Sequence, residues 1–236
     1  MWSSLAMLLA PSLVAAHGAV TSYIIDGTTY QGYQGYSPVA GAQIIQRQWP
    51  SYNPILSVSD PMMTCNGGTS APIYATMAAG DNITAVWAQW THQQGPVMVW
   101  MYACPNGFSD CDGKSDGWFK IDQLGFYGTG SLDSTDWGTA IVEATLKWTS
   151  TIPKNLKAGF YLIRHELLAL HQADTPQFYP ECAQLQITGS GTGVPSGSSL
   201  TPIPAYASAD SPSIMVDIYT GNLTSYTCPG PDVWTG

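Results

Sequence analysis

The chain has 236 residues, and only 10% of them are charged, against about 25% in an average globular protein. Seven lysines and arginines against sixteen aspartates and glutamates give a formal net charge of −9, which leaves too few cations for the basic face of a nucleic-acid binder or a membrane-surface helix. Hydrophobic residues reach 44%, enough for a packed core, and nine tryptophans and thirteen tyrosines suit a flat, uncharged partner such as a polysaccharide.

The first sixteen residues have the pattern of a secretory signal peptide. Residues 5–14 form an apolar stretch too short to span a bilayer, and Val14-Ala15-Ala16 supplies small or aliphatic residues before a cleavage site. The segment before this stretch lacks the usual basic residue. Cleavage after Ala16 would release a secreted, extracellular chain of residues 17–236 that begins with His17.

The rest of the chain consists of short segments rich in β-branched and aromatic residues, separated by Gly, Pro, Asn and Ser. No long stretch shows helical periodicity, and residues 30–61 are typical of a long functional loop. We therefore predict a single all-β domain over residues 17–236, an antiparallel β-sandwich with large loops. The predicted strands are residues 20–25, 83–90, 97–104, 117–121, 139–149, 159–170, 183–188 and 214–219.

Five cysteines fit an oxidising compartment and allow at most two internal disulfides. The turn-rich segment between Cys104 and Cys111 favours a local bridge between these two. Cys65 and Cys182 would then close a long loop, and Cys228 would be left over. The sequence alone does not decide among the arrangements.

Two Asn-x-Thr tripeptides are candidates for N-glycosylation in a secreted protein. They begin at Asn82 and Asn222. Such tripeptides also arise by chance, and Asn82 opens a predicted strand.

The histidines are the candidate metal ligands. His165 and His171 are six residues apart, which does not match the i, i+4 spacing of a helical zinc-protease motif. A chain that begins with His17 offers an α-amino nitrogen and an imidazole nitrogen that can chelate one metal ion. His92, in a turn between two predicted strands, can add a second imidazole. Such a nearly planar set of three nitrogens suits copper better than zinc.

A tyrosine can approach the fourth side of such a site. Tyr179 and Gln177 are two residues apart, so on an extended backbone they share a face. Each candidate also has an ordinary alternative: His17 as a plain first residue, His92 as a loop histidine bonded to the backbone, and Tyr179 as a core aromatic.

Hydrolytic chemistry has no comparable signature. The chain has no G-x-S-x-G motif, and the sequence cannot select the pair of carboxylates that a glycosidase needs. A hydrolytic endoglucanase and a non-catalytic copper-binding or sugar-binding module therefore remain as alternatives.

Seven further segments form a recognisable set of motifs: Ala16-His17-Gly18, Thr64-Cys65-Asn66, His92-Gln93-Gln94-Gly95-Pro96, the segment 162–171, the segment 177–182, Ser225-Tyr226 and Pro229-Gly230-Pro231. Together they resemble the fungal lytic polysaccharide monooxygenases, the cellulose-active family once classed as glycoside hydrolase family 61. The resemblance covers nearly the whole chain after Ala16, although the motif that begins at His92 has one residue more than the His-His-Gly-Pro of many members.

The resemblance implies a set of site residues. His17, His92 and Tyr179 would bind one copper ion in a histidine brace, with His171 and Gln177 beside it in catalytic roles, and His165 would be structural. It supports the disulfides Cys65–Cys182 and Cys104–Cys111. It makes Tyr206 and Tyr226 candidates for stacking on sugar rings, with Tyr30, Tyr33 and Tyr36 as weaker ones.

The resemblance also implies the activity. The protein would be a secreted monomer that cleaves cellulose or a related β-glucan oxidatively at carbon 1 and/or carbon 4. It would use O2 or H2O2 and an external electron donor, a small reductant or a redox protein. The fold would be an immunoglobulin/fibronectin-III-like sandwich whose loops form a flat surface, and no carbohydrate-binding module is expected after Gly236.

Overall fold

A computed structural model describes residues 17–35 and 37–236, so the predicted signal peptide and Tyr36 lie outside the described residues. Nearly all regular structure is β. The strands are β1 (Val20–Ile25), β2 (Thr28–Gln31), β3 (Ala75–Ala78), β4 (Asn82–Trp87), β5 (Val97–Ala103), β6 (Asp116–Leu124), β7 (Lys147–Thr151), β8 (Gly159–Ala169), β9 (Gln177–Thr188) and β10 (Thr201–Pro202). One α-helix, α1, spans Gly138–Thr145, and single 3-10 turns cover Pro61–Met63 and Gly197–Ser199. No helix in the described ranges is long and apolar enough to cross a membrane.

The strands form two sheets, which confirms the predicted β-sandwich. The smaller sheet has the order β2-β1-β4-β7 and the larger has the order β10-β6-β5-β8-β9-β3. All strand pairs are antiparallel except β3 with β9, which are parallel. β3 forms one edge of the larger sheet. The main core lies between the sheets and includes Val20 and Ile83 from one sheet and Val99 and Ile163 from the other.

The larger sheet is buried on both faces. Along β5, Val97, Val99 and Met101 point into the core between the sheets, whereas Met98 and Trp100 join a second core on the outer face. This alternation follows from the two-residue period of a strand. The chain after β10, through residues such as Ile203 and Ile214, covers this outer face, so even the polar side chains of β8, Arg164, His165 and Glu166, are buried.

Two predicted strands are wrong. Residues 139–149 form α1 and then β7, because Leu146 adopts a left-handed conformation with φ 54° and its N–H bonds to Val142 O, which ends the helix. Residues 214–219 form turns that cover the outer face of the larger sheet instead of pairing with a strand. The β-branched residues in both segments favour strands locally, but packing against the rest of the protein outweighs this local preference.

The sequence predictions for the cysteines are confirmed. Disulfides join Cys65 to Cys182 and Cys104 to Cys111, and Cys228 is the free cysteine. The first bridge links the segment after Pro61–Met63 to the middle of β9, across the outer face of the larger sheet.

Candidate metal centre

One end of the sandwich gathers the chain segments that carry the predicted ligands. Val20 of β1 pairs with Trp87 at the end of β4, and Ala169 at the end of β8 pairs with Gln177 at the start of β9. The start of β1, the connection between β4 and β5 and the connection between β8 and β9 therefore meet at one edge. His17, His92 and His171 lie on these three segments.

The structure brings three predicted ligands together. The ring centroids of His17 and His92 are 5.9 Å apart, those of His17 and Tyr179 are 5.9 Å apart, and those of His92 and Tyr179 are 6.2 Å apart. The two histidines are half-buried, and Tyr179 is buried beneath them. One ion could contact all three side chains.

The loop that carries His92 is held on both sides. Gly95 has φ +143°, and a Cβ at this position would collide with the backbone oxygen of Leu168, so only glycine lets the loop pass so close to β8. From α1, Thr139 donates its hydroxyl to Gln93 O at 2.8 Å and to Gly95 O at 2.9 Å. These contacts on both sides hold the loop in the position that presents His92 to the site.

His171 stands beside His92, with its ring centroid 4.0 Å from that of His92 and an interplanar angle of 7°. Gln177 is 7% exposed, and its Oε1 accepts a hydrogen bond of 2.8 Å from the Tyr179 hydroxyl. The prediction that Gln177 and Tyr179 share a face agrees with this contact. The amide NH2 of Gln177 then faces away from the phenol.

Burial sets the charge state of the site. Loss of solvent, together with the neighbouring His171 and His17, lowers the pKa of His92 to about 4. Burial and His17 also lower the pKa of His171. Burial, with help from Glu181, raises the pKa of Tyr179. At neutral pH the imidazoles of His92 and His171 are therefore neutral beside the protonated phenol of Tyr179, and neutral imidazole is the form that binds metals.

Two buried nitrogens of the site make no hydrogen bond to the described residues. His92 Nε2 and His171 Nδ1 are buried and have no hydrogen-bond partner within the described part of the chain. A buried unpaired nitrogen is unfavourable by about 1–3 kcal/mol unless a ligand occupies it. Among the described residues, no three His, Cys, Asp or Glu side chains are arranged to hold a metal ion. A free amino group at His17, if the chain begins there, would offer a further nitrogen beside these side chains.

The predicted sugar-stacking tyrosines are not placed for that role. Tyr206 is 5% exposed and donates its hydroxyl to Glu166 at 2.9 Å, so its ring belongs to the outer core. Tyr226 is half-buried, packs against Trp137 with 4.9 Å between centroids and donates to Ser213 O. These two predictions are wrong, because the segment after β10 must bury apolar surface to cover the larger sheet. Tyr30 and Tyr33 are also partly packed against core residues.

Tyr219 is an exposed aromatic residue at this end that the sequence did not predict to be part of the site. It is 53% exposed, and its hydroxyl donates to the backbone oxygen of His171 at 2.9 Å. This bond places an exposed ring on the same surface as His171.

The two glycosylation candidates are exposed as well: Asn82 begins β4 and accepts a hydrogen bond from Thr151, and Asn222 lies in a turn.

His165 lies away from the site, fully buried in the core between the sheets, where its ring contacts Tyr23 at 5.7 Å between centroids. Burial lowers its pKa to about 3. His165 therefore does not reach the surface on which His17, His92 and His171 lie, which agrees with a structural role.

Comparison with known proteins identifies the class of enzyme. A lytic polysaccharide monooxygenase D from Thermothelomyces thermophilus is 54% identical over 230 residues, which cover 94% of this chain and 90% of that protein. A lytic polysaccharide monooxygenase B from Heterobasidion irregulare is 44% identical over 237 residues, which cover 98% of this chain and 97% of that protein. A solved structure described as a cellulose-active polysaccharide monooxygenase from M. thermophila has a TM-score of 0.88 and 53% identity, and covers 93% of this chain and 100% of its own.

The chain belongs to Auxiliary Activity family 9 (formerly GH61), whose sequence model matches residues 17–226. Members of this family are lytic polysaccharide monooxygenases, which are copper-dependent oxidoreductases, so this chain is an enzyme of that class. The resemblance inferred from the sequence motifs is confirmed, and so is the β-sandwich fold.

Proposed function

We propose that the protein is a secreted enzyme that cleaves cellulose or a related β-glucan oxidatively at carbon 1 and/or carbon 4, with one copper ion held by His17, His92 and Tyr179. The convergence of these three rings within 6.2 Å at one end of the sandwich carries the proposal. The family supports copper, and the solved relative named as cellulose-active supports the substrate.

The residues present fit copper. His92 Nε2 is a buried nitrogen without a partner among the described residues, and His17 would add its imidazole and, after cleavage of the bond to Ala16, its α-amino group. Three nitrogens with an approach from one further side suit Cu(II), which stands at the top of the affinity order of divalent metals. The phenol of Tyr179 is protonated and already donates to Gln177, so it would be a weak ligand on that further side.

Cleavage at His17 is therefore part of the proposal, with residues 1–16 as the signal peptide and residues 17–236 as the single catalytic domain. The match to the family begins at His17 itself. The solved relative covers 93% of this chain over its full length, and 93% of 236 residues is about 220, which is close to the length from His17 to Gly236.

Copper, when bound, would supply one-electron chemistry toward O2 or H2O2 after reduction by an external donor. The roles of the protein side chains follow from their contacts. Gln177 is oriented by the Tyr179 hydroxyl, so its NH2 is the group that can donate to an oxygen co-substrate. His171 is held against His92 and can donate or accept a proton next to the site.

The polysaccharide would lie across this end of the sandwich. Tyr219 offers an exposed ring beside His171, and a tyrosine ring gives contact area on a sugar face at low entropic cost. Because the chain has few cations, an uncharged glucan is a better partner for this surface than an anionic polymer.

The decisive experiment compares three purified chains: one that begins at His17, one with a single extra glycine before His17, and His17→Ala. The glycine extension keeps both imidazoles and removes the free amine. We expect it to weaken Cu(II) binding by at least about 100-fold in calorimetry. With cellulose, copper and ascorbate, mass spectrometry should show oxidised oligosaccharides from the first chain alone, and none without ascorbate.

Two outcomes would overturn the proposal. Sugar release that does not depend on ascorbate would indicate a hydrolase. Copper binding that is unchanged by both modifications would place the metal elsewhere and leave a binding module as the alternative.

A further inference from the structure

Two consecutive residues just after β4, Gln89 and Trp90, contact all three proposed copper ligands. Neither residue would bind the metal itself. β4 is an inner strand of the smaller sheet, paired with β1 on one side and β7 on the other, so its end is a fixed point.

Gln89 holds the first ligand. Its side-chain Nε2 donates a hydrogen bond to the backbone oxygen of His17. Gly18 lies directly against the Gln89 backbone, because a Cβ on Gly18 would overlap the Gln89 oxygen. The peptide group between His17 and Gly18 is therefore held at two points: Gln89 binds its oxygen, and the Gln89 backbone packs against Gly18. This peptide group is attached to the Cα that carries both the amino nitrogen and the imidazole of His17.

Trp90 holds the other two ligands. Its Nε1 donates to the backbone oxygen of His92 at 2.6 Å. Its ring, in a residue that is 3% exposed, meets the His92 ring at 5.1 Å and 88°, and the Tyr179 ring at 4.8 Å and 89°. Both contacts have the edge-to-face geometry that aromatic pairs prefer. The indole thus fills the space between His92 and Tyr179 and limits the rotation of both rings.

We propose that Gln89 and Trp90 are positioning residues of the copper site, which place His17, His92 and Tyr179 before the metal arrives. The inference rests on the proposed function, since it presumes copper at these ligands. Residues that orient metal ligands typically change metal affinity by about 10–100-fold when they are mutated. We expect effects of this size although neither side chain donates an electron pair to the metal.

The test uses Gln89→Leu, which keeps the size and removes the donor, and Trp90→Phe, which keeps an aromatic ring and removes the N–H. Matched controls are available in the same molecule. Gln93 lies next to His92, but its amide donates to Glu143, so Gln93→Leu removes a bond that does not involve a ligand. Trp118 is buried and donates its Nε1 to Gly113 O at 2.6 Å, so Trp118→Phe loses an equivalent bond elsewhere.

Copper affinity and the electron paramagnetic resonance spectrum of Cu(II) are measured for all four variants, each starting at His17. We expect Kd to rise about 10–100-fold and the hyperfine splitting to change for Gln89→Leu and Trp90→Phe, and both to stay near wild type for the controls. Wild-type affinity and spectrum in both Gln89→Leu and Trp90→Phe would overturn the inference.

A second measurement separates this inference from the proposed function. In the metal-free protein, hydrogen exchange of the peptide that follows His17 should be faster in Gln89→Leu than in wild type and in Gln93→Leu. If the wild-type chain failed to bind copper, the proposed function would fall, and the exchange data would still report whether Gln89 orders the segment. Equal exchange in all three chains would overturn the positioning role.

Discussion

The rings of His92 and His171 lie face to face, 4.0 Å apart and within 7° of parallel, and each has a buried nitrogen without a hydrogen-bond partner among the described residues. Two cationic imidazoles would repel each other in this arrangement, and burial lowers the pKa of both. The stack therefore disfavours the state in which both rings are charged. It also links the loop before β5 to the loop after β8, so the proposed ligand and its neighbour are positioned together.

Replacement of His171 should separate stacking from proton chemistry. His171→Phe keeps a ring against His92, so we expect copper affinity within about threefold of wild type. Oxidised product from cellulose should fall at least about 100-fold, which is the usual contribution of a side chain that donates or accepts a proton. His171→Ala should in addition weaken copper binding, because His92 loses its support. Full activity in His171→Phe would contradict a chemical role for this residue.

The sequence predicted the strands of the two sheets better than the segments that pack against the sheets. β8 and β5 were found within one residue at their ends because apolar and aromatic residues, interrupted in β8 only by Arg164-His165-Glu166, extend along both strands, as expected for a sheet buried on two faces. Residues 139–145 and 214–219 have a similar composition and are a helix and turns. Their structure depends on what they pack against, which a local pattern does not contain.

The residues of the site also differ in whether a local sequence pattern could predict them. His17, His92 and Tyr179 were found through a cleavage site, a turn and an alternation of two residues, all of which are local signals. Trp90 and Tyr219 were missed because their importance lies in long-range contacts, with Tyr179 and His171 respectively. The prediction for Tyr206 failed for the opposite reason: the family resemblance suggested it, but its ring points into a core that the sequence does not reveal.

Tyr219 offers a test of the substrate surface. Tyr219→Phe removes the hydrogen bond to His171 O and keeps the exposed ring, whereas Tyr219→Ala removes both. We expect cellulose binding, measured by depletion from solution, to be weakened about 5–150-fold in Tyr219→Ala, as for loss of an aromatic–base stack of about 1–3 kcal/mol. Tyr219→Phe should bind nearly as well as wild type. The buried Tyr206→Phe serves as the control and should not change binding.

The two disulfides should contribute unequally to stability. Cys65–Cys182 spans 117 residues and Cys104–Cys111 spans 7. Chain entropy assigns about 5 kcal/mol to the first loop and about 2 kcal/mol to the second. Alanine pairs at each bridge, compared by urea denaturation, should therefore lower the free energy of unfolding by amounts that differ by about 2–3 kcal/mol. An equal loss would show that native-state strain or residual structure in the unfolded chain outweighs loop length.

The buried ion pair of Arg164 and Glu166 should behave as a unit. Their side chains are fully buried and 2.6 Å apart, and Glu166 also accepts hydrogen bonds from Trp100 and Tyr206. Removing one partner leaves a buried charge unpaired, so Arg164→Met and Glu166→Gln should each lower the free energy of unfolding by about 3–5 kcal/mol. The double variant should lose much less than the sum.

A surface pair gives the comparison for that cycle. Lys114 and Asp112 are 3.8 Å apart with more than half of each side chain exposed, so Lys114→Met should change stability by at most about 1 kcal/mol. Strict additivity of Arg164→Met and Glu166→Gln would contradict the coupling, because residues in direct contact are expected to depart from additivity.

His165 should make the protein less stable in acid. Burial lowers its pKa in the folded state to about 3, against about 6.5 in the unfolded chain, so between these values the unfolded state binds a proton that the folded state does not. The free energy of unfolding then falls as the pH drops from about 6.5 to about 3, by about 1.4 kcal/mol per pH unit from this residue. Urea titrations of metal-free wild type and His165→Gln at several pH values isolate its share, since the other groups titrate in both chains. We expect the variant to have the shallower slope, so that its stability relative to wild type improves by about 3 kcal/mol between pH 7 and pH 4. Parallel curves would mean that the folded protein accommodates a charged imidazole at this position.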